Sequence, residues 1–403
     1  MNTSKNKKKV AVLIINRANY GRLKPVLQAI QEHPDLELQL IVGSAMLLYR
    51  FGDDVRFIEE DGFKISARLN MIIEGGTPMA MAQSTGVALM SLPSILEQLN
   101  PDLFLVNGDR FEILPAAMAA AYMNIPLAHT LGGEITGTID ESIRHAVTKL
   151  SHIHLTAHKP AADRIVSMGE DPQNVFVVGN PSLDIAKTIN DNPNIFNTLK
   201  EKINTRGIGK ELNLDNPYIL AYQHPVTTEH NKSIEQMKQT LQALHDTNIQ
   251  IIMIWPNPDA GTEGSAKAIR DFREKNPNNK IHFFRSFNTE DYLTLLKNAQ
   301  CVVGNTSSAI MEGGFFGTPA INIGTRQNGR ERCINTIDVG YNYEEIKNAI
   351  KKQLDHGKYE QDLFFGDGMS GKRIADILFN TKVSIQKMFN KDKNYHLIKN
   401  LIK

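Results

Sequence analysis

The segment VVGNTSSAIMEGGFFGTPAINIG, residues 302–324, carries the clearest indication of the fold. It starts as a short apolar strand, turns at Gly-Asn-Thr-Ser-Ser, continues as a helix and ends in a second apolar strand. A strand, a helix and a strand in this order are typical of a parallel sheet covered by helices. Ser307 and Ser308 are predicted at the helix N-terminus, where free N–H groups suit a diphosphate. Glu312, one turn further, would accept hydrogen bonds from a ribose diol, and the alternative is capping serines with a solvated Glu.

The same alternation of short apolar runs and longer helix-period segments extends along the 403 residues. A polar stretch, residues 191–217, is rich in Asn, Gly and Pro and is expected to connect two domains. The predicted strands are residues 10–15, 36–42, 102–108, 125–130, 152–157 and 175–180 before it, and 218–224, 249–255, 280–287, 301–305, 319–324 and 336–340 after it. This pattern predicts the α/β class, with two Rossmann-like, doubly wound parallel-sheet domains that face a cleft.

The expected domain boundaries follow from this alternation of predicted strands and helices. The first domain is predicted to comprise residues 1–185 and the second residues 186–370. A C-terminal helix, residues 371–403, is expected to pack back on the first domain. The apolar stretch 79–96 is predicted to be a buried core helix, with an interface as the alternative.

The composition excludes several classes of protein. Charge is balanced, with 45 Lys and Arg against 44 Asp and Glu, which argues against a nucleic-acid partner. No apolar stretch is expected to approach the roughly 20 residues that cross a bilayer, so no membrane partner is predicted. The two cysteines, Cys301 and Cys333, have neither metal nor redox spacing and suit a reducing cytoplasm. No metal site is expected, and no G-x-G-x-x-G follows the first strand, so the usual fingerprint does not support a nicotinamide cofactor.

Polar residues that directly follow a predicted strand are the candidate site residues, because ligands of such sheets bind at the carboxyl ends of the strands. Arg17 follows the first strand and is expected to meet an anionic ligand, although a flexible surface Arg would look the same. Asp109 and Arg110 follow the strand at 102–108. Asp109 either caps the next helix or points a carboxylate into the cleft.

The stretch HTLGGEITGTIDESIRH, residues 129–145, contains six ionisable side chains and begins at the end of another predicted strand. His129 stands at the end of that strand, and the paired glycines that follow predict a tight turn. Glu134 lies in this turn without a local structural role. It is therefore the better candidate for proton transfer.

A helix is predicted to begin after this turn. Thr138-Ile-Asp-Glu141 fits a capping box, which gives Glu141 a structural role. Asp140 lies in the first turn, where the helix dipole favours an ionised carboxylate that can act as a base. Arg144 is one turn after Asp140 and is expected to pair with it, and His145 has the same relation to Glu141.

The second half offers further candidates at strand ends. His224 follows a strand and precedes a proline, and it is expected to donate to a phosphate or to hold a proton. Asn257 follows the next strand. Thr325 and Arg326 end the strand at 319–324, where Arg326 adds a cation beside the predicted diphosphate site.

Seven ordered motifs resemble the hydrolysing UDP-N-acetylglucosamine 2-epimerases of sialic acid synthesis. They are NRANY, NGDRFE, GGEITGTIDESIRHAVTKLSH, QHPVTTEH, PNPDAG, GNTSSAIMEGGFFGTP and INIGTRQNGRE, and they span nearly the whole chain. The resemblance implies a glycosyltransferase-B architecture, a UDP-sugar substrate in the inter-domain cleft, and neither NAD nor a catalytic metal. It also implies a homo-oligomer, either a dimer or a tetramer.

The chemistry that the resemblance implies needs carboxylates on one side of the cleft and cations on the other. A base removes the proton at C2, UDP leaves from C1 by anti elimination, and water adds to the resulting 2-acetamidoglucal. The products are free N-acetylmannosamine and UDP. The implied catalytic residues are Asp109, Glu134, Asp140 and His224, and the implied substrate-binding residues are Arg17, Asn257, Ser286, Phe287, Ser307, Ser308, Glu312, Thr325 and Arg326.

One position departs from the family pattern. Leu131 stands two residues after His129, where relatives carry a Glu, and Glu134 is expected to replace it. Close relatives act instead on UDP-2,4-diacetamido-2,4,6-trideoxyhexose in legionaminic acid synthesis. A retaining glycosyltransferase and a non-catalytic nucleotide-sugar sensor are the competing functions.

Overall fold

Two seven-stranded sheets form the framework of the computed structural model, which describes residues 7–48, 55–74, 77–137, 139–192, 194–256 and 261–389. The first sheet is parallel and has the order β3-β2-β1-β4-β5-β6-β7. Its strands are β1 (Lys8–Ile14), β2 (Leu36–Gly43), β3 (Ile65–Leu69), β4 (Leu103–Asn107), β5 (Leu127–Thr130), β6 (Ile153–Thr156) and β7 (Val175–Val177).

The second sheet has the order β14-β13-β12-β9-β10-β11-β8. All its pairings are parallel except that of β8 with β11. Its strands are β8 (Ile208–Gly209), β9 (Tyr218–Tyr222), β10 (Gln250–Ile254), β11 (Ile281–Phe284), β12 (Cys301–Gly304), β13 (Ala320–Ile323) and β14 (Thr336–Val339).

Helices cover both faces of each sheet. In the described part of the chain they are α1 (Arg17–Glu32), α2 (Val55–Glu60), α3 (Pro78–Leu99), α4 (Ile113–Tyr122), α5 (Ile139–Leu150), α6 (Lys159–Ser167), α7 (Ser182–Asp191), α8 (Asn194–Lys202), α9 (Ser233–His245), α10 (Thr262–Lys275), α11 (Thr289–Asn298), α12 (Ser307–Phe316), α13 (Tyr343–His356) and α14 (Ser370–Asn380). Each sheet contributes to two separate apolar clusters of buried side chains, as expected for a sheet buried on both faces.

The predicted α/β class with two doubly wound sheets is confirmed, and each of the twelve predicted strands is present. The sequence missed β3, whose exposure alternates because it is an edge strand, and β8, which has only two residues. The boundary at residue 185 stays a prediction, since α7 packs against helices of both halves.

The C-terminal helix packs on α1, where the backbone of Gly371 approaches the Pro25 carbonyl so closely that an added Cβ would lie 2.6 Å from it. The helix is shorter than predicted, because it ends at Asn380 and residues 381–389 are not helical. In this non-helical segment Lys387 reaches the carbonyls of Lys149 and Ser151 at the end of α5. Residues 390–403 lie outside the described residues.

Helix α3 differs from two predictions. Met79–Leu99 is long and apolar enough to cross a membrane by length and composition, with a mean hydropathy of 1.3, so the expectation that no stretch approaches that length is wrong. One such helix is weak evidence for a membrane span, because core helices pass the same test. However, only 28% of its most apolar window is buried, and Met90 is 82% exposed. The helix is therefore not the fully buried core helix that the sequence predicted.

Candidate active site between the two sheets

The site lies where the strand order reverses in each sheet. These reversals fall between β1 and β4 in the first sheet and between β9 and β12 in the second. Ligands of doubly wound sheets bind at such points, outside the carboxyl ends of the strands. The loops after these four strands carry Arg17, Asp109, His224 and Ser307, so four of the predicted residues occupy the expected positions.

Contacts between side chains of the two halves show that both points open on one cleft. Arg17 donates from Nη1 to the carbonyl of Phe287 at 3.1 Å and also contacts the Ser286 hydroxyl. Arg22, one turn further along α1, donates to the Ser307 hydroxyl at 3.1 Å. The structure thus brings the predicted uracil loop and the predicted diphosphate site against the first helix.

The N-terminus of α12, the predicted diphosphate site, has no side-chain cap. Its N-cap residue is Thr306, whose side chain makes no capping hydrogen bond. Ser308 contacts the Tyr292 hydroxyl and lies 2.9 Å from the Thr306 hydroxyl, so it does not cap the helix either. Because Ser307 receives its bond from Arg22, the alternative of two capping serines is wrong. The free N–H groups of this helix end favour a negatively charged ligand.

Glu312 is buried and not solvated, which excludes the second half of that alternative. Its Oε1 accepts hydrogen bonds from Ser182 and, at 3.4 Å, from the Asn180 amide. Its Oε2 is buried and makes no hydrogen bond within the described residues. This second oxygen is the acceptor that a ribose hydroxyl would need.

His224 is held by its neighbour Asn305, which follows β12. The Asn305 side chain accepts from the His224 N–H at 2.7 Å and donates to the His224 carbonyl at 2.8 Å. Burial, with a smaller effect of the Arg326 charge, lowers the pKa of His224 well below its ordinary value. At neutral pH this ring is therefore neutral and can donate a hydrogen bond without carrying a charge.

Asp109 is bound by Arg144 and does not cap the helix that follows it, whose N-cap residue is Glu112. Burial would raise the pKa of Asp109, but the charge and hydrogen bond of Arg144, followed by the charges of Arg22 and Arg330, lower it. The carboxylate is therefore ionised, and its side chain is 25% exposed. The alternative that Asp109 is a helix cap is wrong.

Arg144 has a different partner from the one that the sequence indicated. Its side chain is 1% exposed, and besides Asp109 it binds the Glu134 carbonyl at 2.7 Å and the Thr136 hydroxyl at 3.2 Å. Asp140 acts on the pKa of Arg144 only after Asp109 and Glu134. The cause is geometric, because the buried guanidinium reaches the loop after β4 across the turn before α5.

The Glu134 side chain is buried and both of its oxygens lie beside donors. Arg330, from the opposite half, lies 3.0 Å from Oε2, and His158 Nε2 lies 2.9 Å from Oε1. His158 Nδ1 accepts from the Ala161 N–H, so its Nε2 carries the proton that faces Glu134. Burial would raise the pKa of Glu134, but the His158 hydrogen bond and the Arg330 charge lower it. Glu134 is thus an ionised carboxylate fixed by both halves.

The start of α5 agrees only in part with the predicted capping box. Thr138 lies outside the described residues, and Glu141 accepts from the Thr136 N–H at 2.8 Å. His145 lies 3.7 Å from Glu141, as predicted. Asp140 is half-buried in the first turn of the helix.

The remaining predicted residues are dispersed. His129 is fully buried under the sheet, bonded to the Gly108 carbonyl at 2.7 Å, so it does not point into the cleft. Burial lowers its pKa to about 4. Arg110 lies 3.3 Å from Glu112, and the Thr325 hydroxyl donates to Glu229. Asn257 lies outside the described residues.

One group of side chains has the composition of a metal site. Ligand atoms of Glu134, His158 and Glu331 lie within 4.8 Å of one another. However, His158 directs a protonated nitrogen at the group, and Arg330 and Arg164 bind its two carboxylates. The negative charges are thus already balanced by two guanidinium groups, and the arrangement is a network of ion pairs between the halves.

Three residues of the site were missed from the sequence, namely Arg22, His158 and Arg330. Arg22 lies five positions after Arg17 on the same helix, and its basic character in a helix that starts at the cleft was a usable signal. Arg330 lies in the same loop as Arg326, but its partner Glu134 is 196 positions away in the chain. No local pattern could reveal that pairing.

Two doubly wound sheets that face one cleft, with carboxylates on one side and an uncapped helix N-terminus on the other, define a two-domain α/β protein of glycosyltransferase-B architecture. The model of the UDP-N-acetylglucosamine 2-epimerase family matches residues 28–379. The chain belongs to this family.

Relatives named for two different substrates are about equally identical to this chain. A UDP-N-acetylglucosamine 2-epimerase of Neisseria meningitidis is 33% identical over 95% of this chain and 98% of its own. A UDP-N,N'-diacetylbacillosamine 2-epimerase (hydrolyzing) of Legionella pneumophila is 32% identical over 92% and 95%. A crystal structure of a UDP-GlcNAc 2-epimerase from Neisseria meningitidis bound to UDP-GlcNAc has a TM-score of 0.78 at 18% identity, with 93% of this chain and 100% of that chain covered. That likeness shows the shared fold.

Proposed function

We propose that this protein is a hydrolysing UDP-N-acetylglucosamine 2-epimerase, which converts its substrate to UDP and free N-acetylmannosamine for the synthesis of sialic acid-type sugars. The observation that carries the proposal is the position of Arg22. Burial raises the pKa of Asp109 and Arg144 is the main group that lowers it, but the Arg22 charge also lowers it. Arg22 also donates to Ser307, so one cation lies between an ionised carboxylate and the proposed diphosphate-binding helix end. Elimination of a diphosphate next to an acidic C–H bond needs that combination.

The proposed reaction uses the two sides of the cleft in sequence. Asp109, Glu134 and Asp140 are the proposed carboxylates of proton transfer at C2. The diphosphate departs toward the N-terminus of α12, where the helix dipole and cations stabilise its charge. Arg17 and Arg326 are the proposed cations, and neutral His224 is the proposed hydrogen-bond donor. Water then adds at C1 of the 2-acetamidoglucal, and C2 is protonated on the opposite face.

The nucleotide is proposed to lie along α12 and the loop after β11. Ser286 and the backbone of Phe287 would face the uracil, and the unbonded oxygen of Glu312 would receive the ribose. Thr325 and Asn257 complete the proposed set of binding residues. The proposed location is the cytoplasm, which suits the two free, buried cysteines.

A second candidate is the same reaction on UDP-2,4-diacetamido-2,4,6-trideoxyhexose. It is favoured by the Legionella pneumophila relative and by a Campylobacter jejuni relative named for GDP/UDP-N,N'-diacetylbacillosamine, which is 34% identical over 89% of this chain and 90% of its own. Identity to these two proteins, 32% and 34%, is close to the 33% identity to the Neisseria meningitidis relative.

Proton NMR in D₂O tests the reaction and the substrate together. The two UDP-sugars are supplied separately, without any acceptor sugar. Release of UDP with a free manno-configured sugar that carries deuterium at C2 supports the proposal, and the faster substrate identifies the preference. Retention of the intact UDP-sugar in both samples would contradict it, whereas turnover only with an added acceptor would indicate a glycosyltransferase.

The active form is proposed to be a homo-oligomer that pairs through α3. Three methionines of this helix, Met79, Met81 and Met90, are between 41% and 82% exposed, and Tyr122 at the end of the neighbouring α4 is 83% exposed. Met79 and Met90, three helical turns apart, lie on one face of α3, and exposed apolar surface of this kind marks an interaction site. Met90→Glu should convert the oligomer to a monomer in sedimentation analysis, and an unchanged sedimentation coefficient would place the interface elsewhere.

A further inference from the structure

A continuous chain of buried polar side chains crosses the cleft. It starts at Glu134, which binds Arg330. Arg330 Nε donates to the Gln327 side chain at 2.8 Å, and the Gln327 amide donates to the Asn305 carbonyl at 2.9 Å. Asn305 in turn holds the backbone of His224 on both sides. All five side chains are less than 10% exposed, so solvent does not interrupt the path.

The same loop that carries Gln327 and Arg330 also carries Thr325 and Arg326. Arg326 donates from Nη1 to the Asn305 carbonyl at 3.2 Å, the same oxygen that Gln327 binds. A ligand that moves Arg326 therefore shifts the acceptor on which Gln327 depends. The loop thus joins the proposed diphosphate site to the acidic cluster within six residues.

Close packing joins this loop to the turn that carries Glu134. An added Cβ at Gly137 would lie 3.0 Å from the Thr325 carbonyl oxygen, which is tighter than ordinary contact. Gly329, with φ +78°, lies against the side chain of Ile135. The two segments are therefore in close contact in this arrangement of the halves.

We propose that Arg330 is a positioning residue that couples occupation of the nucleotide site to the placement of Glu134. The proposal rests on the assignment of Glu134 to proton transfer in the proposed function. Binding of UDP fixes Arg326 and Asn305, Gln327 then orients Arg330, and Arg330 holds the Glu134 carboxylate in its working position. The guanidinium suits this role because it offers separate donors to Gln327 and to Glu134.

Arg332 provides a matched control in the same loop. It is also paired with a carboxylate, Asp338, at 2.9 Å, but that partner lies in its own half. Arg332→Gln removes this ion pair, and the hydrogen bond from Arg332 Nη1 to the Arg330 carbonyl at 2.6 Å, but it leaves in place the side chains that cross the cleft. Arg330→Lys is the conservative variant, because an ammonium keeps the charge beside Glu134 but cannot serve both acceptors with the same fixed geometry.

The first experiment measures hydrogen exchange in peptides that contain residues 131–137, with and without saturating UDP. UDP is expected to slow exchange there in the wild type and in Arg332→Gln, but not in Arg330→Gln or Gln327→Leu. The dissociation constant of UDP, measured by calorimetry, is expected to change less than about threefold in Arg330→Gln, since this residue does not hold the nucleotide.

The second experiment measures turnover of the UDP-sugar. We expect kcat to fall about 100-fold in Arg330→Gln with little change in KM, because a misplaced catalytic group costs about that much. Arg330→Lys should recover part of the loss, and Arg332→Gln should resemble the wild type. In the Glu134→Gln background, Arg330→Gln should add little, since both changes break the same unit.

Each outcome decides the proposal. UDP-dependent protection of residues 131–137 that survives in Arg330→Gln would overturn it, as would an absence of protection in the wild type. Equal losses of kcat in Arg330→Gln and Arg332→Gln would also overturn it. If the wild type binds UDP and shows the protection but turns over neither UDP-sugar, the coupling stands and the proposed function fails.

Discussion

At the scale of single residues, Arg144 decides the charge of the acidic side of the cleft. Its guanidinium is buried, and its partner Asp109 is the carboxylate nearest to it. The pKa of Asp109 is held below the ordinary value of 3.8, so this ion pair stabilises the fold above that value and is lost as the pH falls through the lowered pKa. The sequence predicted both residues but gave Arg144 the wrong partner, because the pair joins two loops that only the sheet brings together.

Arg144→Met should change both stability and the pH profile. We expect the free energy of unfolding at pH 7 to fall by about 3 kcal/mol, because Asp109 loses its nearest cation. The pKa of Asp109 rises, so the acid limb of kcat/KM should move to higher pH. Chemical denaturation and a pH–rate profile measure the two effects. Arg144→Lys is the control, and an acid limb that stays in place would exclude Asp109 as the titrating base.

His129 should control part of the acid sensitivity of the fold. Its pKa falls from 6.5 to about 4 on burial, so the unfolded chain binds one proton more between these values. The stability that a neutral His129 provides is complete above pH 6.5 and is lost as the pH falls toward 4, a difference of about 3 kcal/mol. In His129→Asn the free energy of unfolding should vary less steeply across this range, by about one proton. An identical slope would show that His129 does not titrate on unfolding.

At the scale of elements, the sequence predicted the strands, but it did not predict where the C-terminal helix ends. Short apolar runs identified β9 and β12 because both are buried on two faces and need no partner information. The C-terminal helix was predicted too long, because an amphipathic pattern continues past Asn380. In the structure, residues 381–389 are not helical and contact the end of α5 through Lys387. That contact is made to backbone carbonyls far away in the sequence, so the local pattern of residues cannot predict it.

Lys387 stabilises the far end of the helix that carries Asp140 and Arg144. Its ammonium donates to the last carbonyls of α5 and lies 2.7 Å from the buried Glu170 carboxylate. Lys387→Met should lower the free energy of unfolding by about 2 kcal/mol, because hydrogen bonds to charged groups and helix-end carbonyls are lost. The exposed Lys382→Met is the control and should be neutral in thermal unfolding. Equal effects of the two substitutions would show that the segment does not cap α5.

At the scale of the whole molecule, the two halves meet through charges at the edges of the cleft as well as through the buried chain. Lys24 on α1 lies 2.7 Å from Glu290 on α11, and Arg164 on α6 binds Glu331. The Glu290 side chain is 35% exposed, so each such pair contributes only about 0.5–1 kcal/mol. Contributions of this size shift an equilibrium between open and closed forms severalfold without fixing it.

If ion pairs at the edges of the cleft shift the equilibrium between open and closed forms, reversing their charges should open the cleft. In the double variant Glu290→Lys and Arg164→Glu, like charges face each other at both pairs, and small-angle scattering at low salt should show a larger radius of gyration than in the wild type. Raising the salt from 0.1 to 1 M shortens the screening length from about 10 to about 3 Å, so the difference should shrink. Glu235→Lys, whose partner Lys238 lies at 3.9 Å within one half, is the control. A double variant as compact as this control at low salt would show that the edge pairs do not govern closure, and that the buried path through Arg330 holds the halves together by itself.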